Sequence, residues 1–432
     1  MCLILDWALI LISSFITVSS YRRIIKNKCS SIAHFIVLIE YVFLCVPILL
    51  NYCIGMPTYK YISWYKSFLP SMESETIAHI YDIYILVSLV LLYSYARSYD
   101  RKESKYKTYE DIKLNGLFNN RVFLTLVIVS PIIYILLSGK LTSFLIYASA
   151  GGRGIEDTRF TTYLSMLILF SLYAFCYQFF NKPITKGRFL LLLLYSLAVA
   201  WINGKRFIIA LMLIVYLFFY TRSDLSTKTR KKLEIYTPLL FIALVLFSYY
   251  YLVAIKPLSD VSFDSVYDML RVDFGRDDVI KYVINKELFQ KSPILDYRCE
   301  TFLSTFLTFV PRAIWSNKPY PHYMYLTASI LGSSIDKLPA GTTPSWFEMC
   351  IANCSWLGFL IGIGFIPLLC KWCDKIKSIP YQMLMLVFII VLLTQSTDAY
   401  VGFLMLIVVQ FLVAKFIGKR KIVIRVNNKK SG

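Results

Sequence analysis

About eleven apolar windows follow one another along this chain, and most of them are long enough to cross about 30 Å of hydrocarbon. Inside a bilayer every backbone amide and carbonyl must find its hydrogen bond within the protein, so such windows are predicted to be helices. The predicted fold class is an all-α polytopic integral membrane protein with about 11 transmembrane helices and one large loop. The windows run approximately over 2–20, 32–54, 77–96, 121–138, 161–180, 189–203, 207–220, 236–255, 346–370, 381–397 and 399–417.

One long polar interval divides the chain into three predicted parts. Residues 1–255 hold transmembrane helices 1–8 with short loops, and residues 256–345 form the large loop. Residues 346–432 hold transmembrane helices 9–11 and a basic tail. The number of spans between 189 and 220 stays open, because the two windows there are short and share one turn.

The basic charge of the chain indicates its orientation in the membrane. The formal net charge is +20, with 46 Lys and Arg residues against 26 Asp and Glu residues. When the N-terminus is placed outside, the basic short loops and the tail all fall on the cytoplasmic side, as the positive-inside rule requires. The N-terminus is therefore predicted outside and the C-terminus in the cytoplasm, with membrane lipid as the surrounding partner. Nucleic acid is not needed to explain the charge.

The large loop carries its own helical pattern. Apolar residues recur at helical spacing from Phe263 to Phe274, Gly275 interrupts the pattern, and the spacing resumes from Val279 to Leu288, which predicts two amphipathic helices. A further apolar run, 302–310, is too short to cross the bilayer and stops at Pro311, so a helix at the outer membrane edge is predicted. An acidic stripe at i, i+4, i+8 is predicted to be a solvated face; it consists of Asp260, Asp264 and Asp268.

Metal and cofactor motifs are not found in the sequence. Ten cysteines are scattered mostly through predicted spans and their ends, and only Cys299 falls clearly inside the large loop, so a disulfide framework is not expected. Cys370 and Cys373 have CxxC spacing, but no second ligand pair follows as a zinc site would need. There is no P-loop, GxGxxG or HExxH motif. The prediction is no metal and no cofactor.

Cations on the outer side are the first candidates for a functional site. Arginine stays protonated and binds phosphate through two N–H groups, so arginines at headgroup depth suit a pyrophosphate carried on a lipid. Arg312 is the catalytic candidate, because it follows the end of the predicted surface helix. Each cation could instead be an interfacial anchor. The predicted substrate-binding cations are Arg153, Arg159, Lys205, Arg206, Arg271, Arg298 and Lys318.

Three further residues could accept a proton. His322 is the only histidine in the large loop, and a histidine near its usual pKa can act as a general base on a sugar hydroxyl. Glu156 and Asp157 lie between Arg153 and Arg159 in a glycine-rich turn. These acids and arginines could form ion pairs with one another, or they could present both a cation and a base to a substrate. A structural role for His322 is the alternative.

Three short sequence segments of this chain resemble segments of the Wzy family, the O-antigen or oligosaccharide repeat-unit polymerases of bacterial envelopes. Residues 311–319, Pro-Arg-Ala-Ile-Trp-Ser-Asn-Lys-Pro, look like the family's PR-x-x-W-x-x-KP segment. Residues 344–348, Pro-Ser-Trp-Phe-Glu, followed by Asn353 and Gly358, are similar to the run that leads into the next span, where a glutamate is common; Glu348 joins the substrate-binding candidates on this basis. Residues 203–206 resemble the family's short G-[KS]-R turn.

The resemblance implies a GT-C-like glycosyltransferase in the bacterial inner membrane, with a periplasmic N-terminus and large loop and a cytoplasmic C-terminus. Such an enzyme would move a growing glycan from its undecaprenyl-pyrophosphate carrier onto a fresh lipid-linked repeat unit, without nucleotide sugar or metal. Its partners would be the lipid-linked glycan and a chain-length regulator protein. The alternatives are a lipid-linked oligosaccharide flippase or transporter, and an O-antigen ligase, which shares the chemistry and differs in acceptor.

Overall fold

The structure is a computed structural model of the 432-residue chain. It describes residues 2–26, 31–60, 63–103, 121–147, 153–155, 157–180, 186–204, 206–222, 262–307, 310, 312–338, 341–376 and 379–395, with single positions between 235 and 250 and between 400 and 408. Helices and the turns between them make up these residues, and no strand occurs among them. The all-α class is confirmed for the described part of the chain.

The principal helices are α1 (Cys2–Ile25), α2 (Ala33–Cys53), α3 (Glu75–Glu103), α4 (Arg121–Leu137), α5 (Thr158–Phe180), α6 (Lys186–Asn203), α7 (Arg206–Arg222), α8 (Phe263–Phe274), α9 (Asp277–Ile284), α10 (Glu300–Phe306), α11 (His322–Leu331), α12 (Trp346–Cys354), α13 (Trp356–Asp374) and α14 (Ile379–Thr394). Four described stretches are long and apolar enough to cross a membrane, namely Ile4–Ile25, Ala33–Cys53, Glu75–Arg101 and Trp356–Asp374. Shorter apolar helices are Arg121–Leu137, Tyr163–Phe179, Leu190–Asn203, Phe207–Phe219 and Tyr381–Thr394. These lengths and compositions are those of a membrane protein.

The chain divides into two compact units. The first contains residues 1–107, 258–375 and 386–401, and the second contains residues 108–257, 376–385 and 402–432. In the second unit, α4 packs on α5 and α6 packs on α7. Phe175, Phe179 and Leu192 form its apolar centre, and the ring of Tyr195 stacks on Phe175 with centroids 3.7 Å apart.

In the first unit, α1, α2 and α3 pack against one another, and α13 packs against α3. Asp374, at the end of α13, accepts hydrogen bonds from the Ile32 amide at 2.9 Å, from the Tyr95 hydroxyl at 2.9 Å and from the Ser31 hydroxyl. One carboxylate therefore satisfies a donor at the start of α2 and a donor on α3. Because buried polar groups need partners, these bonds fix how the three helices meet.

The two amphipathic helices predicted for the large loop are confirmed as α8 and α9. Ser262 begins α8 with a capping box, in which its hydroxyl accepts from the Ser265 amide at 3.2 Å. Gly275 ends it, and its amide donates to the Arg271 carbonyl at 2.6 Å. The first part of the apolar run predicted before Pro311 belongs to the short helix α10, which ends at Phe306. Its place at the outer membrane edge stays a prediction.

The single span predicted over 346–370 is wrong, because the chain breaks at Ser355. Ser355 has φ 51° and ψ −130°, and α12 and α13 lie on either side of it. The Trp346 ring stacks on Phe365 at 4.6 Å, and Gly358 lies against the Cys350 and Ile351 backbone. The two helices therefore fold back on each other as a tight hairpin, and α12 is buried along its length.

Candidate functional site

Asn353, near the end of α12, holds the start of α10. Its Oδ1 atom accepts from the Thr301 amide at 3.1 Å and from the Phe302 amide at 3.3 Å. Its Nδ2 atom donates to the Thr301 hydroxyl at 2.6 Å and to the Met349 carbonyl at 2.7 Å. The first amides of a helix have no partner within the helix, so the Asn353 side chain supplies a hydrogen-bond acceptor for two of the first amides of α10.

His322, predicted as a base, lies beside Glu348, predicted to bind substrate. The His322 Nε2 atom is 3.6 Å from Glu348 Oε1, and its Nδ1 atom is 3.3 Å from the Thr301 hydroxyl. Both side chains are fully enclosed. Both Glu348 oxygens accept from the Ser345 amide at 2.8 Å, as part of the capping box that begins α12. The pair connects α10, α11 and α12.

A second set of polar contacts holds residues 319–320 against the same helices. The Tyr325 hydroxyl donates to Glu300 Oε1 at 2.5 Å and accepts from the Tyr320 amide at 3.3 Å. The Ser304 hydroxyl donates to the Pro319 carbonyl at 3.1 Å. Burial, and then the bond to Glu300, raises the pKa of Tyr325 well above its usual value, so the phenol keeps its proton and remains a donor.

Arg312, Lys318 and Tyr320 form what we call the cationic turn. The exposed Arg312 guanidinium lies over the Tyr320 ring at 4.1 Å and donates to the Pro319 carbonyl at 3.3 Å. The Lys318 ammonium donates to the Val310 carbonyl at 2.9 Å. Partial burial, and then the nearby Arg312 charge, lowers the pKa of Lys318. Two like charges therefore share one accessible turn.

No carboxylate in the described part of the chain forms an ion pair with Arg312. Asp336 accepts instead from the Tyr320 hydroxyl at 3.3 Å. Two neighbouring cations repel each other, and a dianion that contacts both would relieve the repulsion. The cationic turn can therefore bind a phosphate or pyrophosphate group.

Two other predicted cations of the large loop are committed to acids of the protein itself. Arg271 is 2% exposed and binds both oxygens of Asp277, at 3.1 and 2.9 Å, and also Asn51 at 2.9 Å. Arg298 binds Glu287 at 2.5 Å. A buried charge needs such a partner, so Arg271 stabilises the loop rather than presenting its charge at a surface.

The predicted site residues between 153 and 206 belong to the second unit. Arg153 donates to the carbonyls of Ile202 at 2.7 Å and Trp201 at 2.5 Å, and its guanidinium lies over the Phe144 ring at 4.4 Å. Asp157 pairs with Lys140 at 3.4 Å and accepts from the Phe160 amide at 3.1 Å. Glu156 and Lys205 lie outside the described residues, as do the side chains of Arg159 and Arg206. That these residues bind substrate stays a prediction.

A buried charged cluster beside α9 was not included among the predicted site residues. Arg276 is 3% exposed, and its guanidinium donates to the carbonyls of Gly275 at 2.6 Å and Thr394 at 3.1 Å. Burial lowers the pKa of Arg276. The Asp278 carboxylate accepts from the Tyr59 hydroxyl at 2.7 Å. The sequence alone does not distinguish Arg276 from other cations, because its partners are backbone carbonyls, one of them on the distant helix α14.

The acidic stripe of α8 is not a uniformly solvated face. Asp264 is exposed, but Asp268 is 1% exposed and accepts from the amides of Thr58 and Lys60, each at 3.0 Å. The prediction of a solvated face is wrong for Asp268, because this carboxylate satisfies backbone donors of the segment before Ser63. Asp260 lies outside the described residues.

The buried Asp278 predicts a pH dependence of stability. Burial, and then the neighbouring Asp277 charge, raises the pKa of Asp278 from 3.8 to about 6. The folded state thus holds this proton more tightly than the unfolded state, so its stabilising contribution is full below about pH 4 and is lost as the pH rises to about 6. We expect Asp278→Asn to reduce the fall in unfolding free energy between pH 4 and 7 by roughly 1–3 kcal/mol.

The measurement is the thermal unfolding of detergent-solubilised protein at several pH values from 4 to 7. Asp264→Asn is the matched control, because Asp264 is exposed on α8, and it should keep the slope of the parent. An Asp278→Asn protein whose stability changes with pH as steeply as the parent would contradict the assignment.

A cavity of about 360 Å³ lies at the C-terminal end of α11, the end opposite His322. Inside it the Asn285 amide donates to the Ser71 hydroxyl at 3.0 Å, and the Tyr282 hydroxyl donates to the Ser329 carbonyl at 2.9 Å. Hydroxyl, amide and amino groups around one aromatic ring form a lining of the kind that orients a polar small molecule. The lining residues are Ser67, Pro70, Ser71, Tyr282, Asn285, Lys286, Gln290, Ser329, Ile330, Leu331 and Gly332.

This cavity has no local signature in the sequence, because its lining comes from three separated segments of the chain. Compared with known proteins, the chain matches no protein-family model, no curated protein and no solved structure.

Proposed function

We propose that this chain is a membrane glycosyltransferase that polymerises undecaprenyl-pyrophosphate-linked oligosaccharide repeat units at the periplasmic face of the bacterial inner membrane. The observation that carries the proposal is the cationic turn: an exposed Arg312 that pairs with no acid of the described chain, next to a lysine whose pKa it helps to lower. This is the charge arrangement that a departing pyrophosphate requires.

In the proposed reaction, a hydroxyl of the new repeat unit attacks the anomeric carbon of the growing glycan. The bond from that carbon to the pyrophosphate oxygen breaks, and negative charge develops on the leaving group. Arg312 would bind two phosphate oxygens through parallel N–H groups, with Lys318 as a second charge. The acceptor proton would leave to a carboxylate.

We assign His322 a positioning role within this proposal. The ring is fully enclosed and touches Thr301 and Glu348, so it ties α10 and α12 to the first residue of α11. The cationic turn connects α10 to α11 in the chain. Removing the imidazole would therefore displace Arg312 indirectly, through the helices on either side.

The cavity at the end of α11 supports a glycan as the substrate. The helix runs from His322 to Leu331, so its two ends lie about 14 Å apart at 1.5 Å per residue. Tyr320 of the cationic turn precedes the first end, and Ser329, Ile330 and Leu331 line the cavity at the second. A sugar chain whose pyrophosphate lies at the turn would place a more distant sugar near the hydroxyl and amide groups of the cavity.

Deletion of the gene tests the proposed function. Without a polymerase, single repeat units are still made, flipped and attached, so we expect lipopolysaccharide carrying one repeat unit on the lipid A core and no ladder of longer chains. Electrophoresis of the extracted lipopolysaccharide measures this, and a plasmid-borne copy should restore the ladder. Complete loss of the repeat unit from the core would instead favour a flippase or a ligase.

The structure also offers an observation that favours the transporter alternative. Asp82 in α3 and Glu40 in α2 are each 1% exposed; Asp82 lies beside Asp6 of α1, and Glu40 accepts from the Ser88 hydroxyl at 3.3 Å. Buried carboxyl groups within membrane helices commonly belong to proton or substrate pathways. For a flippase, the deletion strain would accumulate lipid-linked single units on the cytoplasmic leaflet.

A further inference from the structure

Two cysteines distant in sequence meet where α10 begins and α12 ends. The Cys299 and Cys354 sulfur atoms are 3.8 Å apart. Cys299 is exposed and Cys354 is partly exposed, whereas Cys45, Cys176 and three other free cysteines are buried. The pair therefore lies at the surface of the described structure.

The backbone on both sides of the pair is fixed independently of the sulfur atoms. The Cys299 amide donates to the Asn353 carbonyl at 3.1 Å, and the Asn353 side chain binds the first amides of α10. A disulfide has an S–S distance of about 2.05 Å, so the two sulfurs need to approach by less than about 2 Å. Side-chain rotation supplies a movement of this size, and the helices can stay in place.

We propose that Cys299 and Cys354 form a reversible disulfide that locks the start of α10 to the end of α12. The exposed Cys299 thiolate attacks an external disulfide, forms a mixed disulfide and releases one thiol. Cys354 then attacks the Cys299 sulfur and releases the second thiol. The two cysteine protons pass to the released thiols, and the external disulfide is reduced as the internal one forms.

The chemistry of the two thiols supports this order. Burial, and then the hydrogen bond and charge of Cys299, raises the pKa of Cys354 to about 11, so Cys354 is rarely a thiolate at neutral pH. The more accessible Cys299 is the better first nucleophile, and Cys354 serves as the resolving thiol. The disulfide would hold α10 against the end of α12, beside the bond from the Thr301 amide to Asn353 and the contact between Thr301 and His322. This proposal does not depend on the proposed function.

Peptide mapping of the full-length protein in detergent tests the proposal. The protein is incubated with oxidised glutathione or with dithiothreitol, free thiols are alkylated with iodoacetamide, and the digest is analysed by mass spectrometry. We expect a peptide joined through Cys299 and Cys354 after oxidation, its loss after reduction, and a higher melting temperature for the oxidised protein.

Cys53→Ser is the matched control, because Cys53 is also an exposed free thiol, and it should leave the joined peptide unchanged. Cys299→Ser and Cys354→Ser should each abolish it. The proposal is overturned when the oxidised parent protein, still folded, carries a separate glutathione or carbamidomethyl group on each of the two cysteines. That readout uses the parent chain, so it decides the question even when a serine variant does not fold.

Discussion

Arg312→Ala is expected to leave a folded, membrane-inserted protein that no longer makes long glycan chains. The guanidinium is exposed and contacts only the Tyr320 ring and the Pro319 carbonyl in the described structure, so its removal costs little stability. If it binds the departing pyrophosphate, removing one such donor should slow polymerisation by about 10²–10³-fold. The measurement is the lipopolysaccharide ladder of the variant strain, with membrane protein level measured in parallel.

Two companion variants sharpen this test. Lys337→Ala removes an exposed cation from the same loop and should keep a normal ladder, which separates a local effect from a general loss of charge. Arg312→Lys keeps the charge and loses the two-pronged geometry, so its ladder should be intermediate. Long polymer of normal length in an Arg312→Ala strain would remove this residue from the active site.

Gly358→Ala is expected to destabilise the first unit strongly. A Cβ atom at this position would lie 2.2 Å from the Cys350 carbonyl oxygen and 2.6 Å from the Ile351 Cα atom. These are backbone atoms of α12, so the side chain cannot avoid them by rotating and the hairpin must open. Overpacking of this kind typically costs about 1–3 kcal/mol, and we expect the upper end of that range or more.

Gly364→Ala on the same helix is the matched control. No heavy atom lies within 4 Å of its would-be Cβ, and alanine is the better helix former by about 1 kcal/mol, so this variant should be at least as stable as the parent. Thermal unfolding in detergent compares the two. Equal melting temperatures for both variants would contradict the close approach of α12 and α13.

Among the described residues, hydropathy predicted several helices closely, because the hydropathy of a window depends only on the residues inside it. The windows 121–138 and 189–203 correspond to α4 and α6, and the amphipathic pattern around Gly275 gave both loop helices. Helix capping also depends on nearby residues. Ser262 and Gly275 therefore cap the two ends of α8, where the apolar helical spacing begins and is interrupted.

The break at Ser355 could not be found in the same way. Residues 346–370 are almost uniformly apolar, so no window distinguishes a crossing helix from a hairpin. The hairpin rests on two tertiary contacts: the missing side chain of Gly358 lets α13 approach α12, and Asn353 finds its partners on α10. Neither contact has a signature in local hydropathy.

The sequence by itself determined the helical class of this protein, the pattern of its apolar spans and the presence of cations and a histidine in the large loop. Only the tertiary structure decided which of those charges are neutralised: Arg271 by Asp277, Arg298 by Glu287, and Arg312 by no acid of the described chain. The physical reason is that hydropathy and helical periodicity depend on neighbours in sequence, whereas an ion pair or a thiol pair depends on distance in space. Cys299 and Cys354, 55 residues apart by their numbers, are brought within 3.8 Å only by the fold.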